Sequence, residues 1–323
     1  MTYSSGSLIQ AIDYNGFAST TAGANLNDIW STGSGDKGWG QTALSTVTAG
    51  TSTVTATQWA GLVNNLSSSG SQTNTTITAR SAPTAGQTIG ILAALSTDLT
   101  NVTTNRGNAV AIGAQYTGWT GTNSKTAATG TGAWTITITN TVTFPTAAQA
   151  RYFWNAGGLV KITCSKTATG AVGDPPWNAL ATAVGDIYIS GRVNGAAQTI
   201  AATSYTGTTK VGGSGTPTTL ATTTGWYSLT PGAAATIVMK QFSPTAPYTS
   251  DYIQHTIAAN AGSTTLTIVT TWVGVDGDAI SGGTAPTGVT PGTAPCTIVS
   301  YFPPSTTYLT NTWGTPTVAA TTA

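Results

Sequence analysis

The sequence contains no glutamate. All nine of its acidic residues are Asp, and its 323 residues include one histidine, His255, and two cysteines, Cys164 and Cys296. Each shortage removes a class of chemistry. Glycoside hydrolysis asks for two carboxyl groups on opposite sides of one bond, whereas Asp174, Asp186 and Asp251 stand isolated along the chain. A Ser-His-Asp site would have to use His255, and no Gly-x-Ser-x-Gly elbow accompanies it. No P-loop is present, and glycine-rich pieces such as residues 33–40 lack the strand-to-helix setting that a dinucleotide fingerprint needs. Asp276-Gly277-Asp278 offers two carboxylates where Ca²⁺ takes about six to eight oxygens, so it reads as a solvated turn. The expectation is a protein that is not an enzyme, with no catalytic residue, no cofactor and no metal.

Charge is the second shortage. Charged residues make up 6% of the chain, against about 25% in an ordinary soluble domain, so the polar surface has to come from uncharged side chains. The net charge is +1 and the ten basic residues are scattered from Lys37 to Lys240, which argues against nucleic acid as a partner. So weak a charge also gives little colloidal repulsion, and a free monomer would tend to associate. Assembly with identical or different subunits is expected. No apolar run approaches the roughly 18 residues of a membrane span, and Met1-Thr2-Tyr3-Ser4-Ser5-Gly6 has no basic region leading into an apolar core, so neither membrane insertion nor a signal peptide is expected.

Threonine fills the gap. It occupies 71 of the 323 positions. Being β-branched, it fits a pleated strand and supplies hydrogen bonds without the desolvation cost of a charge. Ten Trp, eleven Tyr and a hydrophobic fraction of 39% exclude disorder.

Hydrophobic spacing divides the chain into a small helical N-terminal module, residues 1–130, and a Thr-rich antiparallel β-sandwich or jelly-roll-like region, residues 131–323. The fold class is therefore mainly β. Up to about residue 50, short helical turns are joined by a glycine loop. Thr55 then precedes Trp59, Leu62, Val63 and Leu66 at the i, i+3, i+4, i+7 spacing of one helical face, which predicts a helix over 57–69. Leu92, Leu95, Leu99 and Val102 predict a second helix within 87–105, packed on the first or paired in a short coil. The helices are thereby expected in the first third only.

From about residue 132 the period becomes two, with Trp134, Ile136 and Ile138 alternating with Thr135, Thr137 and Thr139. Further strands are expected at 160–164, 186–190, 226–229, 236–242, 251–258, 264–275 and 296–302, with loops at 212–217 and 281–295 and an extended tail over 314–323. Residues 259–263 give the strongest hairpin signal. His255 shares a strand face with Ile253 and Ile257 and reads as a packed or edge residue. Cys164 and Cys296 lie in strand-like surroundings, either as two buried thiols or as a disulfide. Trp134, Trp226 and Trp272 are expected in the core, whereas Trp119 and Trp177, in Gly- or Pro-rich surroundings, are the candidates for contact with a glycan or a neighbouring subunit.

Arg151-Tyr152-Phe153-Trp154-Asn155-Ala156-Gly157-Gly158-Leu159-Val160-Lys161-Ile162 resembles a segment of virion structural proteins of tailed bacteriophages, as in contractile-tailed phages of aquatic bacteria. In those proteins an aromatic run and an Asn-Ala-Gly-Gly turn lead into a strand. Residues 30–41, with their Gly-Ser-Gly-Asp-Lys-Gly-Trp-Gly core, and residues 55–62, with Thr-Ala-Thr-Gln-Trp, are similar to the same group in the same order. In the last third only 251–253 and 264–272 share the likeness. The resemblance implies a particle component in a tail, fibre, collar or baseplate, made in the host cytoplasm and located in the virion. Its partners would be other virion proteins and copies of itself, a trimer among the expected states, and a host surface glycan if it serves attachment. A carbohydrate-binding adhesin and a capsid decoration or surface-layer protein are the alternatives. The resemblance brings no catalytic residue with it.

Overall fold

The computed structural model describes residues 11–19, 25–48, 53–85, 94–124, 133–166, 174–275 and 295–322. Its first part holds helices α1 (Ala11–Ala18), α2 (Leu26–Trp30), α3 (Ala56–Thr73) and α4 (Leu95–Thr104), followed by the short strand β1 (Thr120–Gly121). Then come β2 (Trp134–Thr143), α5 (Ala147–Asn155), β3 (Leu159–Lys166), α6 (Asp174–Val184), β4 (Asp186–Ile189), β5 (Gln198–Ile200), β6 (Thr203–Tyr205), β7 (Thr208–Val211) and β8 (Thr219–Leu220). The remaining strands are β9 (Thr236–Phe242), β10 (Tyr252–Ala259), β11 (Thr265–Gly274), β12 (Pro295–Phe302) and β13 (Thr317–Thr322).

Local sequence explains α3. The Thr55 hydroxyl accepts from Gln58 N and the Gln58 side chain accepts from Thr55 N, a capping box that satisfies two otherwise orphaned donors. Trp59, Leu62, Val63 and Leu66 are buried along one face, and the helix ends where Asn74 turns left-handed at φ 52°. The second expected helix is present as α4, with Leu95, Leu99 and Val102 buried; residues 86–93 of that expectation lie outside the described residues.

Two helices fall beyond the first third, contrary to expectation. In α5 the run Tyr152-Phe153-Trp154 is buried at three consecutive positions, so no 3.6-residue period marks it. In α6, Pro175 and Pro176 look like a break, yet they occupy the first turn, where a helix needs no backbone donor. The strand expected at 226–229 is also corrected. It is a single 3₁₀ turn over Trp226–Ser228, held by Gly225 N donating to the Ser228 hydroxyl and by Trp226 N donating to Ser190 O.

Among the described residues, β1-β13-β2-β11-β10-β9-β8 form a seven-stranded sheet and β12-β3-β4-β7 a four-stranded one, with β5 and β6 paired separately. All these pairings are antiparallel except β1 with β13. The expected hairpin is β10–β11. The Asn260 side chain closes it by accepting from Thr264 N at 2.8 Å and Thr265 N at 3.0 Å. The end of the chain, expected to be extended, pairs with β2 as β13.

Period-two patterning then decides what each sheet presents. Along β2, Ile136, Ile138, Asn140 and Val142 are buried, while Thr137, Thr139 and Thr141 are half-buried between them. The buried faces of the two sheets meet: Trp272 and Asn140 of the larger sheet hydrogen-bond to Thr297 of the smaller one. One hydrophobic cluster runs from Tyr14 and Trp59 in the helices to Trp272 and Val318 in the sheets.

Candidate functional site

The most reactive-looking residues in the sequence meet between the sheets. His255 on β10 and Cys164 on β3 approach within 3.8 Å (Nε2 to Sγ), and Cys164 Sγ is also 3.8 Å from the Thr297 hydroxyl. His255 Nδ1 shares a 2.9 Å hydrogen bond with the Thr270 hydroxyl. A Cys–His pair suggests nucleophilic catalysis, but the electrostatics run the other way. Burial pushes the Cys164 thiol up to about 12 and the His255 imidazole down to about 3, so at neutral pH neither thiolate nor imidazolium forms. The cluster is a neutral set of hydrogen bonds that fixes the register of one sheet on the other.

Cys164 and Cys296 are both free thiols. The register explains why. Cys164 lies opposite Thr297 on the inward face, whereas Cys296 lies opposite Ser165 on the outward one. Two side chains on opposite faces of adjacent strands point apart and cannot meet as a disulfide.

Among the described residues, several acids are held in structural contacts. Asp36 holds Arg106 through two 2.9 Å contacts, Asp186 accepts from Thr163 at 2.6 Å, and Asp251 accepts from Val275 N at 2.9 Å. Among the described residues no three His, Cys or Asp side chains gather to hold a metal ion. Asp276 and Asp278 lie outside the described residues.

Of the two tryptophans expected at a glycan or subunit contact, Trp177 is corrected. It is 1% exposed, sits in the first turn of α6 and packs 4.8 Å from Trp134 and 6.0 Å from Trp272, so no face of its ring is open. Trp119 is half-buried against the core just before β1. Trp226 and Trp272 are buried and Trp134 packs against the core. Near Trp119 in sequence is an open cleft of about 440 Å³, lined by Tyr116, Tyr301 and Trp313 with Gln115, Asn311 and Ser305 among its polar residues. Tyr116 and Tyr301 stack 4.6 Å apart at 18°.

Residues 30–41 and 151–162 meet in the structure. Asn155, at the end of α5, donates through Nδ2 to Gly38 O at 2.9 Å and accepts from the Tyr227 hydroxyl at 2.6 Å, while its own carbonyl accepts from Trp39 Nε1 at 3.1 Å. Gln72 of α3 reaches the next carbonyl, Ala156 O, at 3.2 Å. The glycines are sterically required here. Gly38 has φ +88° and a Cβ there would collide with Thr32 O, while Gly157 has φ +95° and would bring a Cβ to 2.6 Å from that of Ala109. No local pattern links Trp39 to Asn155, which lie 116 positions apart.

No protein-family model, curated protein or solved structure matches the chain.

The largest regular feature is the outer face of the seven-stranded sheet. Thr317, Thr143 and Thr265 form one cross-strand row; Thr141 pairs with Thr267, Thr139 with Val269, which in turn pairs with Thr256, and Thr137 with Thr271, which in turn pairs with Gln254. These side chains are half-buried or exposed. The row through Thr137 runs on to Lys240 and Thr219, and the Lys240 ammonium lies 3.7 Å from the centre of the Tyr252 ring. Such an array offers hydroxyls and methyls in a fixed lattice, with strands about 4.8 Å apart and like-facing residues about 6.7 Å apart.

Proposed function

We propose that this chain is a structural component of a bacteriophage virion, a tail- or neck-associated part whose work is assembly. The observation that carries the reading is the threonine face. A face of hydroxyls and methyls that carries the charge of Lys240 pairs with another protein surface while desolvating little charge, and the contact depends little on salt. The resemblance of residues 30–41, 55–62 and 151–162 to phage virion proteins supports the same reading, and the first and last of these segments meet in one junction.

Light scattering with negative-stain imaging at about 0.1 M and 1 M salt tests it. An oligomer of the same mass at both is expected, and an elongated trimer would place it in a fibre. A monomer at every concentration and salt would remove the assembly role.

A second reading is a glycan-binding adhesin, favoured by the cleft at Tyr116. Aromatic rings beside amide and hydroxyl groups suit the apolar face and the hydroxyls of a sugar. Binding on a broad glycan array that is lost in Tyr116→Ala is the expected result, and an array without signal would end this reading.

A further inference from the structure

Cys164 and His255 do more than lock the sheets, because they face each other as two ligands across a gap. Sγ on β3 and Nε2 on β10 are 3.8 Å apart, and both side chains are buried. A neutral imidazole holds one ring proton. Carried on Nδ1, that proton is donated to the Thr270 hydroxyl at 2.9 Å, and Nε2 is left with its lone pair turned to the sulfur. A hydrogen bond on the far nitrogen is how a metal-binding histidine is normally oriented. On the other side, the Thr297 hydroxyl accepts from Trp272 Nε1 at 3.2 Å and can give its own hydrogen to Cys164 Sγ at 3.8 Å.

Two ligands are too few for most metals. Zinc and calcium ask for about four or more donors, and among the described residues no third His, Cys or Asp joins this pair. A soft monovalent ion with a filled d shell, such as Cu⁺ or Ag⁺, binds two ligands in line and prefers thiolate sulfur. Bonds of about 2.3 Å to sulfur and about 2.0 Å to imidazole nitrogen span about 4.3 Å in line, so the gap has to open by about half an ångström. Charge makes the same selection. A monovalent ion in place of the thiol proton leaves the site as neutral as before, whereas a divalent ion leaves a net positive charge enclosed between the sheets. An open cleft of about 300 Å³ beside α6 has Cys164 in its lining, which gives an ion a way in.

We propose that Cys164 and His255 form a binding site for a soft monovalent metal ion, which clasps β3 to β10. On binding, the thiol S–H bond breaks and its proton leaves to solvent. The sulfur and Nε2 each form a bond to the ion, and no electron is transferred. The proposal stands whether or not the threonine face mediates assembly, because the site lies inside the core and the face outside it.

The test is titration of the full chain with silver nitrate in chloride-free buffer, in a Cys296→Ser background that removes the other thiol. Calorimetry should give one Ag⁺ per chain and one released proton, read from the dependence on the buffer's ionisation heat. Because the chain has a single histidine, the nitrogen NMR spectrum of its imidazole reports coordination with no substitution at the site. The Nε2 resonance should move with one equivalent of Ag⁺ while Nδ1 keeps its proton, and the urea midpoint should rise. His255→Gln should weaken binding at least about a hundredfold, and Thr270→Val, which removes only the ring's outer partner, about tenfold. Zn²⁺ should bind at least about a hundredfold more weakly than Ag⁺. Absence of Ag⁺ binding, an imidazole resonance that stays in place, equal affinity for Zn²⁺, or a urea midpoint that falls would each overturn the proposal.

Discussion

Lowering the pH from 7 to about 4.5 is expected to remove roughly 2–3 kcal/mol of folding stability through a single proton. His255 is fully buried between the sheets and its imidazole is pushed down to about 3 by desolvation. In the unfolded chain the same ring titrates near pH 6.5. Above that value it is neutral in both states and contributes no pH dependence. Between about 6.5 and 3 the unfolded state binds the proton and the folded state does not, so stability falls as the pH falls. At about 1.4 kcal/mol per unit the whole loss reaches roughly 4–5 kcal/mol near pH 3. Unfolded Asp titrates near about 3.9, so the range above about 4.5 isolates the histidine. The thiol facing it, Cys164, stays neutral throughout.

Because the chain has one histidine, the attribution can be checked with one substitution. Urea unfolding at pH 7, 6, 5 and 4.5 should give a sloping profile for the native protein and a flat one for His255→Gln, whatever the variant's absolute stability. A native profile without slope, or a variant that keeps it, would show that the ring is not buried neutral.

Asp98→Ala is expected to cost about 3–5 kcal/mol, enough to unfold a marginal protein at physiological temperature. Asp98 on α4 lies 2.5 Å from the Arg80 guanidinium, the two side chains being 6% and 5% exposed. Its carboxylate also accepts from Thr78 N at 3.1 Å, which fixes the chain leaving α3 against α4. Removing the acid leaves a guanidinium buried without its counter-charge, the costly case for an ion pair taken out of water. Arg80→Met combined with Asp98→Leu removes both charges and fills the space, so the double variant should recover most of the loss. The readout is the urea midpoint at constant slope. A single variant within about 1 kcal/mol of the native protein would mean that the pair is solvated.

The sheets were legible in the sequence because burial on one face leaves a period of two, and Ile136, Ile138, Leu266 and Ile268 keep it without interruption. The helix α3 was legible because both its capping box and its apolar face are local. By contrast the last four residues of α5, Tyr152 to Asn155, are all buried, so Phe153 and Trp154 carry no period, and α6 opens on two prolines that mimic a loop. That local setting also led to reading Trp177 as available when it is core. The partners of Asn155 and of Arg151 come from residues 32–39 and 227, and such distant pairings leave no trace in composition or spacing. The Pro-rich surroundings of Trp177 had a second meaning: proline lacks a donor, which suits the start of a helix as well as a loop.

The strands at the borders of the larger sheet, β1 and β8, are two residues each and pair with only Ala319–Ala320 of β13 and Met239–Lys240 of β9. On the smaller sheet the free side of β12 is occupied by the chain at Tyr116 and Asn123, which donates to and accepts from Tyr301 and Thr297. A row of open backbone groups is what lets one β-protein recruit another without limit. With so little charge to keep copies apart, short border strands and the covered side of β12 limit edge pairing, and side-chain faces can be matched to one partner in one orientation. A protein arranged in this way can be crowded at high local density and still join only where its hydroxyl lattice finds a complement.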